Sequence, residues 1–179
     1  LPAITELQSP RSWAFGLLGI HEYLSRLSGN RLVSQIRDLL TQRLTNLYDQ
    51  SASEEWPWFE SILAYDNAKL SQALILSGQW IPSQKALDIG LKSLKWLMKV
   101  QSSASGHFRP IGSEGWYPQG GVKARYDQQP ILVHASMSAC LEAYRATEDD
   151  YWLEQARNTF EWFLGRNDLG LPVYDSTTG

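Results

Sequence analysis

Acids standing among aromatic rings form the chemistry-bearing pattern of this chain. Asp127 lies in Tyr126-Asp127-Gln128-Gln129-Pro130, Asp66 in Tyr65-Asp66-Asn67, and Glu60 follows Trp56-Pro57-Trp58-Phe59. A positioned carboxyl gives or takes a proton, and two of them roughly 5 to 9.5 Å apart across one cleft are what glycoside cleavage usually requires. The neighbouring residues suit a hydroxyl-rich ligand. Trp58, Trp116, Tyr117 and Tyr126 offer flat apolar faces, while His107, Arg125, Gln128 and Asn167 offer directional hydrogen bonds.

Each candidate also has a simpler structural reading. Asp127 shortly precedes Pro130, a plausible first-turn proline, so it can cap the helix that follows. Asp66 can cap its helix or bond internally to Tyr65 or Asn67. Asp168, in Arg166-Asn167-Asp168-Leu169-Gly170, reads as a turn builder, and Asp49, Glu54 and Glu55 read as solvated loop charges. Trp56 and Phe59 fit a core plug as well as an exposed rim, whereas Trp116, following Gly115, is expected to be exposed. His107, between Gly106 and Phe108, either reaches a ligand or bonds its own loop. His21 and His134 have no partner spacing for a metal, the chain has one cysteine, and no transition-metal site or cofactor is expected.

The elements that must position these residues are helices, because apolar residues recur at spacings of three and four while alternating runs are nearly absent. Six are expected, in three hairpins. The first runs from about Pro10 to Leu27, burying Trp13, Leu17, Ile20 and Leu24, and Ser28-Gly29-Asn30 stops it and caps the second. That second helix buries Leu32, Ile36, Leu39, Leu40 and Leu47. The third spans roughly Ala64 to Leu76 and stops at Ser77-Gly78; Pro82 opens the fourth, which stacks Leu87, Leu91, Leu94, Leu97 and Met98. The fifth carries Leu132, Met137, Cys140, Leu141 and Tyr144, and Thr147 to Asp150 turn the chain into the sixth, with Trp152, Ala156, Phe160, Phe163 and Leu164 inward. Tight turns within hairpins alternate with long connections between them, so Asp49–Ser61, Ser102–Pro130 and Arg166–Gly179 are expected to share one end of the stack.

Composition sets the outer bounds. A chain of 179 residues, 43% of them hydrophobic, can bury the core of one domain spanning residues 1–179. Its net charge is −3 with sixteen scattered basic residues, which disfavours nucleic acid as a partner. No apolar run is long enough to span a bilayer. Cys140 sits among apolar neighbours, so a structural thiol in a reducing, cytoplasmic setting is expected.

The strings Trp56-Pro57-Trp58-Phe59-Glu60, Tyr65-Asp66-Asn67-Ala68-Lys69-Leu70, Gly106-His107-Phe108, Gly115-Trp116-Tyr117, Tyr126-Asp127-Gln128-Gln129-Pro130 and Gly165-Arg166-Asn167-Asp168 resemble those of the α/α-toroid domain in bacterial proteins named as glycosyltransferases. The wider relatives of that domain include N-acylglucosamine 2-epimerases and unsaturated glucuronyl hydrolases. The resemblance implies an all-α fold of antiparallel hairpins and a carbohydrate ligand. Three hairpins are half of a six-hairpin ring, so a flanking segment or a second copy is expected over apolar terminal hairpins. Three functional readings follow: an enzyme of glycoside hydrolysis or acid-base isomerisation, a non-catalytic carbohydrate-binding domain attached to a glycosyltransferase, or a helical protein-interaction scaffold.

Overall fold

The computed structural model describes residues 2–27 and 29–178, with Pro2 described by its backbone alone. Its described residues form a short 3-10 helix (Pro2–Glu6), six α-helices and one two-stranded ribbon. The helices are α1 (Pro10–Arg26), α2 (Arg31–Ser51), α3 (Ala68–Trp80), α4 (Gln84–Val100), α5 (Pro130–Thr147) and α6 (Asp150–Glu161). The strands β1 (Ile62–Leu63) and β2 (Tyr117–Pro118) pair antiparallel, Ile62 opposite Pro118 and Leu63 opposite Tyr117. The all-α expectation therefore holds. The chain divides into two compact units, the first comprising residues up to Ser61 with Lys69–Leu94, the second Ile62–Ala68 with Lys95 onward.

In the first unit α1 and α2 form an antiparallel hairpin. Gly29 takes a φ of 90° and the Val33 backbone N–H donates to the Asn30 side chain at 3.2 Å, so Asn30 caps α2 as expected; Ser28 lies outside the described residues. Ala14, Leu17, Ile20 and Leu24 of α1 are buried, as are Val33, Ile36, Leu40, Leu44 and Tyr48 of α2. The inward stripe of α2 is thus set by Val33 and its successors at helical spacing, which leaves Leu32 and Leu39 exposed, contrary to expectation. Trp13 is half-buried and donates its indole N–H to the Leu7 carbonyl at 2.6 Å.

The α3–α4 packing in this unit depends on two glycines. A Cβ at Gly78 would lie 2.6 Å from the Leu87 backbone nitrogen, and one at Gly90 would lie 2.9 Å from that of Ile75. Beside them the buried hydroxyls of Ser71 and Ser93 share a 2.8 Å hydrogen bond. Gly78, predicted to end α3, is instead inside the helix, at a point where Leu87 leaves no room for a side chain. Pro82 falls in the turn, and Ser83 opens α4 by accepting from Leu87 N–H at 3.1 Å.

The second unit holds the α5–α6 hairpin and the long 101–129 connection. Glu148 takes a left-handed φ of 55° and Asp149 caps α6, accepting from Tyr151 N–H at 3.0 Å. Trp152, Ala156 and Thr159 of α6 are buried with Trp162, whereas Phe160 and Leu164, predicted inward, are exposed. The connection is ordered by its backbone: Gly112 N–H donates to Ala124 O at 3.0 Å, Ser113 N–H to Asp127 O at 3.1 Å and Ala124 N–H to Trp116 O at 2.8 Å. Only glycine fits at position 112, because a Cβ would meet the Tyr126 carbonyl. Cys140 is fully buried, and desolvation pushes its thiol up to about 12. Each unit also exposes an apolar groove, along Leu7, Phe15 and Gly19 in the first and along Leu141, Phe160 and Leu164 in the second. Among the described residues, no helix is long and apolar enough to cross a membrane.

Candidate functional site

Two of the three long connections belong to the second unit, and side chains join them. Asp168 is the junction. Its Oδ1 receives Arg109 Nε at 2.9 Å and His107 Nε2 lies 2.9 Å away, while its Oδ2 receives Gln128 Nε2 at 3.1 Å. Arg109 reaches the same carboxylate through Nη2 at 2.7 Å, and Arg125 Nε stands 3.7 Å away. Partial burial of Asp168 favours its neutral form, but the hydrogen bonds from Arg109 and His107, the Arg109 charge and the Gln128 bond outweigh it and hold the carboxyl below the ordinary range. Asp168 is therefore an anion with its lone pairs occupied, and the simple turn-building reading of it was too narrow.

Around this junction opens a pocket of about 390 Å³. One wall is Arg125, Tyr126, Asp127 and Gln128; the other is the loop from Asn167 to Val173, with Trp162 from the end of α6. Trp162 is buried and donates its indole N–H to Gln128 Oε1 at 3.1 Å. Asn167 organises the loop by donating to the carbonyls of Trp162 at 2.9 Å and Leu171 at 2.7 Å while accepting from Leu169 N–H at 3.0 Å. Gly165 permits the exit from α6 with a φ of 103°.

Asp127 is exposed at this pocket, has a left-handed φ of 59° and accepts from the Ser113 hydroxyl. It does not cap α5. The residue at that position is Gln129, which makes no side-chain cap bond, so the helix-cap reading of Asp127 is overturned. Among the described residues no basic side chain pairs with it.

The remaining candidates lie elsewhere. Asp66 belongs to the second unit but is buried in the turn before α3 at a φ of 54°. Glu60 belongs to the first unit, where Arg11 Nη1 donates to it at 2.6 Å and its backbone carbonyl receives the Trp56 indole N–H at 2.7 Å. Trp58 is 0% exposed, packed edge-on against Phe59 with ring centres 5.2 Å apart, so it has no face left for a ligand. This corrects the expectation that it forms part of a binding rim, and Trp56 and Phe59 are likewise buried core. Trp116 and Tyr117 are half-buried, Trp116 with a φ of 55° and Tyr117 in β2, and neither lines the pocket. His107 bonds Asp168 on one ring nitrogen and lies 3.0 Å from the Ser105 hydroxyl on the other, which makes it a second support behind the pocket.

Arg109, Trp162 and the hub role of Asp168 escaped the sequence reading. Trp162, beside the inward-facing Phe163, carried no signal that singled it out; Arg109 follows Gly-His-Phe in the long connection, where its charge gave no sign of its partner 59 residues away. Among the described residues, no group of three or more His, Cys, Asp or Glu side chains is placed to hold a metal ion.

No family model matches the chain, and no curated protein matches it. A solved structure does: an unsaturated glucuronyl hydrolase specific for heparin, superposing with a TM-score of 0.67 at 12% identity over 90% of this chain. The aligned part is 47% of that hydrolase, so the present chain spans about half the length of the protein it resembles. At that identity the likeness establishes architecture: this is the helical-hairpin fold of the α/α toroids.

Proposed function

We propose that the chain is a carbohydrate-active domain that binds a sugar or oligosaccharide in the pocket between Arg125–Gln128 and the 167–173 loop. The observation that carries this reading is the composition of that pocket. A tyrosine ring and apolar side chains stand beside the Asp127 carboxylate, which has no basic partner among the described residues, and the Arg125 guanidinium, the combination that stacks on sugar C–H faces while fixing hydroxyl directions. The toroid fold, shared with a hydrolase of glucuronyl sugars, makes acidic as well as neutral saccharides the substrates to test first.

Asp127 is the residue assigned to proton transfer if the site is catalytic. Asp168 is unsuited to act as an acid, because its guanidinium partners keep it ionised. The same observation favours a second reading, a non-catalytic sugar-binding domain attached to a glycosyltransferase, since a carboxyl pair with one member committed to arginine is a poor acid-base couple. Calorimetric titration with neutral and acidic mono- and disaccharides tests the shared claim. Tyr126→Ala is expected to weaken binding by about 1–2 kcal/mol through loss of apolar contact. Asp127→Asn separates the two readings: turnover falling about a hundredfold with binding retained indicates catalysis, and absence of turnover in the parent protein with intact binding indicates the accessory domain. If no saccharide binds, the proposal fails.

A further inference from the structure

The loop that closes the pocket is built inside out. In an ordinary surface loop polar side chains meet water and apolar ones turn in, yet here Asn167 and Asp168 spend their polar atoms on internal bonds while Leu169 and Val173 are 80% and 47% exposed at the pocket mouth. Tyr126, on the opposite wall, is 69% exposed. Leu171 and Tyr174 on the same loop are exposed as well. Single exposed leucines are common on protein surfaces, but three exposed apolar side chains lining one opening, Leu169, Val173 and Tyr126, mark a binding surface. The loop is not loosely placed, because Val173 N–H donates to Phe163 O at 3.0 Å and the Asn167 bonds fix its first turn.

From this polar floor and apolar rim we infer that the ligand is amphiphilic: a sugar joined to an apolar group, alkyl or aryl. The sugar lies against Asp127, Gln128 and Arg125 with a C–H face on the Tyr126 ring, and its aglycone lies against Leu169 and Val173. The inference rests on the sugar-binding reading and narrows its ligand class. A free sugar would leave the rim in water, whereas an attached hydrocarbon covers it and gains free energy with each methylene removed from solvent.

Calorimetry with methyl, phenyl and octyl β-D-glucoside, and with the three matching glucuronides, tests it, octyl compounds being kept below their micelle concentration. The octyl or phenyl compound of at least one series is expected to bind tenfold or more tightly than its methyl counterpart, the scale of burying two or more methylene equivalents. Phenyl exceeding octyl assigns an aryl aglycone and the reverse an alkyl one. The ratio of octyl or phenyl to methyl affinity should shrink in Leu169→Ser, a change at a water-facing position that the fold tolerates. Equal affinity for methyl, phenyl and octyl compounds overturns the inference and leaves sugar binding standing. Binding of octanol as tight as that of octyl glucoside also overturns it, since the rim would then be a general apolar surface. Binding of none of the compounds removes the sugar reading itself.

Discussion

Asp168 shows how one side chain can hold the walls of a pocket together. It ties the 101–129 connection to the loop after α6 through His107, Arg109 and Gln128, so its removal leaves Arg109 without its anion. Asp168→Asn should cost roughly 1–3 kcal/mol, as expected for breaking a partly buried, hydrogen-bonded ion pair, and urea unfolding would measure it. The pH dependence follows from the depressed carboxyl. Its folded-state value lies below the unfolded one, so its contribution is present above the ordinary aspartate range and disappears as pH falls through the folded-state value. The stability gap between parent and Asp168→Asn should therefore be constant near neutrality and narrow only in acid; a gap that is unchanged at the acid end would show that this carboxylate is not responsible. Cys140 gives a simpler test. With its thiol raised to about 12, a thiol reagent at pH 8 should label the unfolded chain and leave the folded one unmodified.

At the scale of elements, glycine positions decide how closely helices approach. Gly78→Ala and Gly90→Ala each drive a methyl into the backbone of the facing helix, and each should destabilise by about 1–3 kcal/mol in denaturant titration. A stability within error of the parent would mean that the two helices separate without cost. The same glycines mark what the sequence made legible. Apolar periodicity located all six helices, Asn30 followed from capping chemistry, and residues 147–150 were read as a turn without the Asp149 cap being named. It did not distinguish a glycine that stops a helix from one that admits a neighbour, because both are simply a missing side chain. It also misjudged which apolar residues face inward: Leu32, Leu39, Phe160 and Leu164 fit the helical period nearly as well as Val33 and Thr159, and only packing against a partner selects the stripe. The site was partly legible for the same reason. Local strings brought Arg125 to Gln128 together as candidates, but the link from His107 and Arg109 to Asp168 spans about sixty positions and leaves no periodic trace.

For the molecule as a whole, charge is informative. With 16 basic and 19 acidic residues the net charge is −3, and the guanidinium groups of the pocket are already opposed by Asp168. Long-range attraction for polyanions is therefore weak, and the protein should pass through a nucleic-acid column unretained at about 150 mM salt, where the screening length is about 8 Å. Retention that persists at that salt would show that the basic residues, scattered in sequence, gather into one surface. A ligand recognised here must be recognised locally, by contact with the pocket walls.

That locality offers a built-in reporter. Trp162 forms the buried base of the pocket, and its indole N–H is held by Gln128, a residue that also bonds Asp168. Indole emission shifts with the polarity and hydrogen bonding of its surroundings. A ligand that draws Gln128 away should thus alter the colour of the protein's ultraviolet fluorescence. The chain has eight tryptophans, and the part of the signal missing in Trp162→Phe is the part that belongs to the pocket. The glutamine that steadies the floor of the site would then act as an optical switch, converting occupancy into a wavelength.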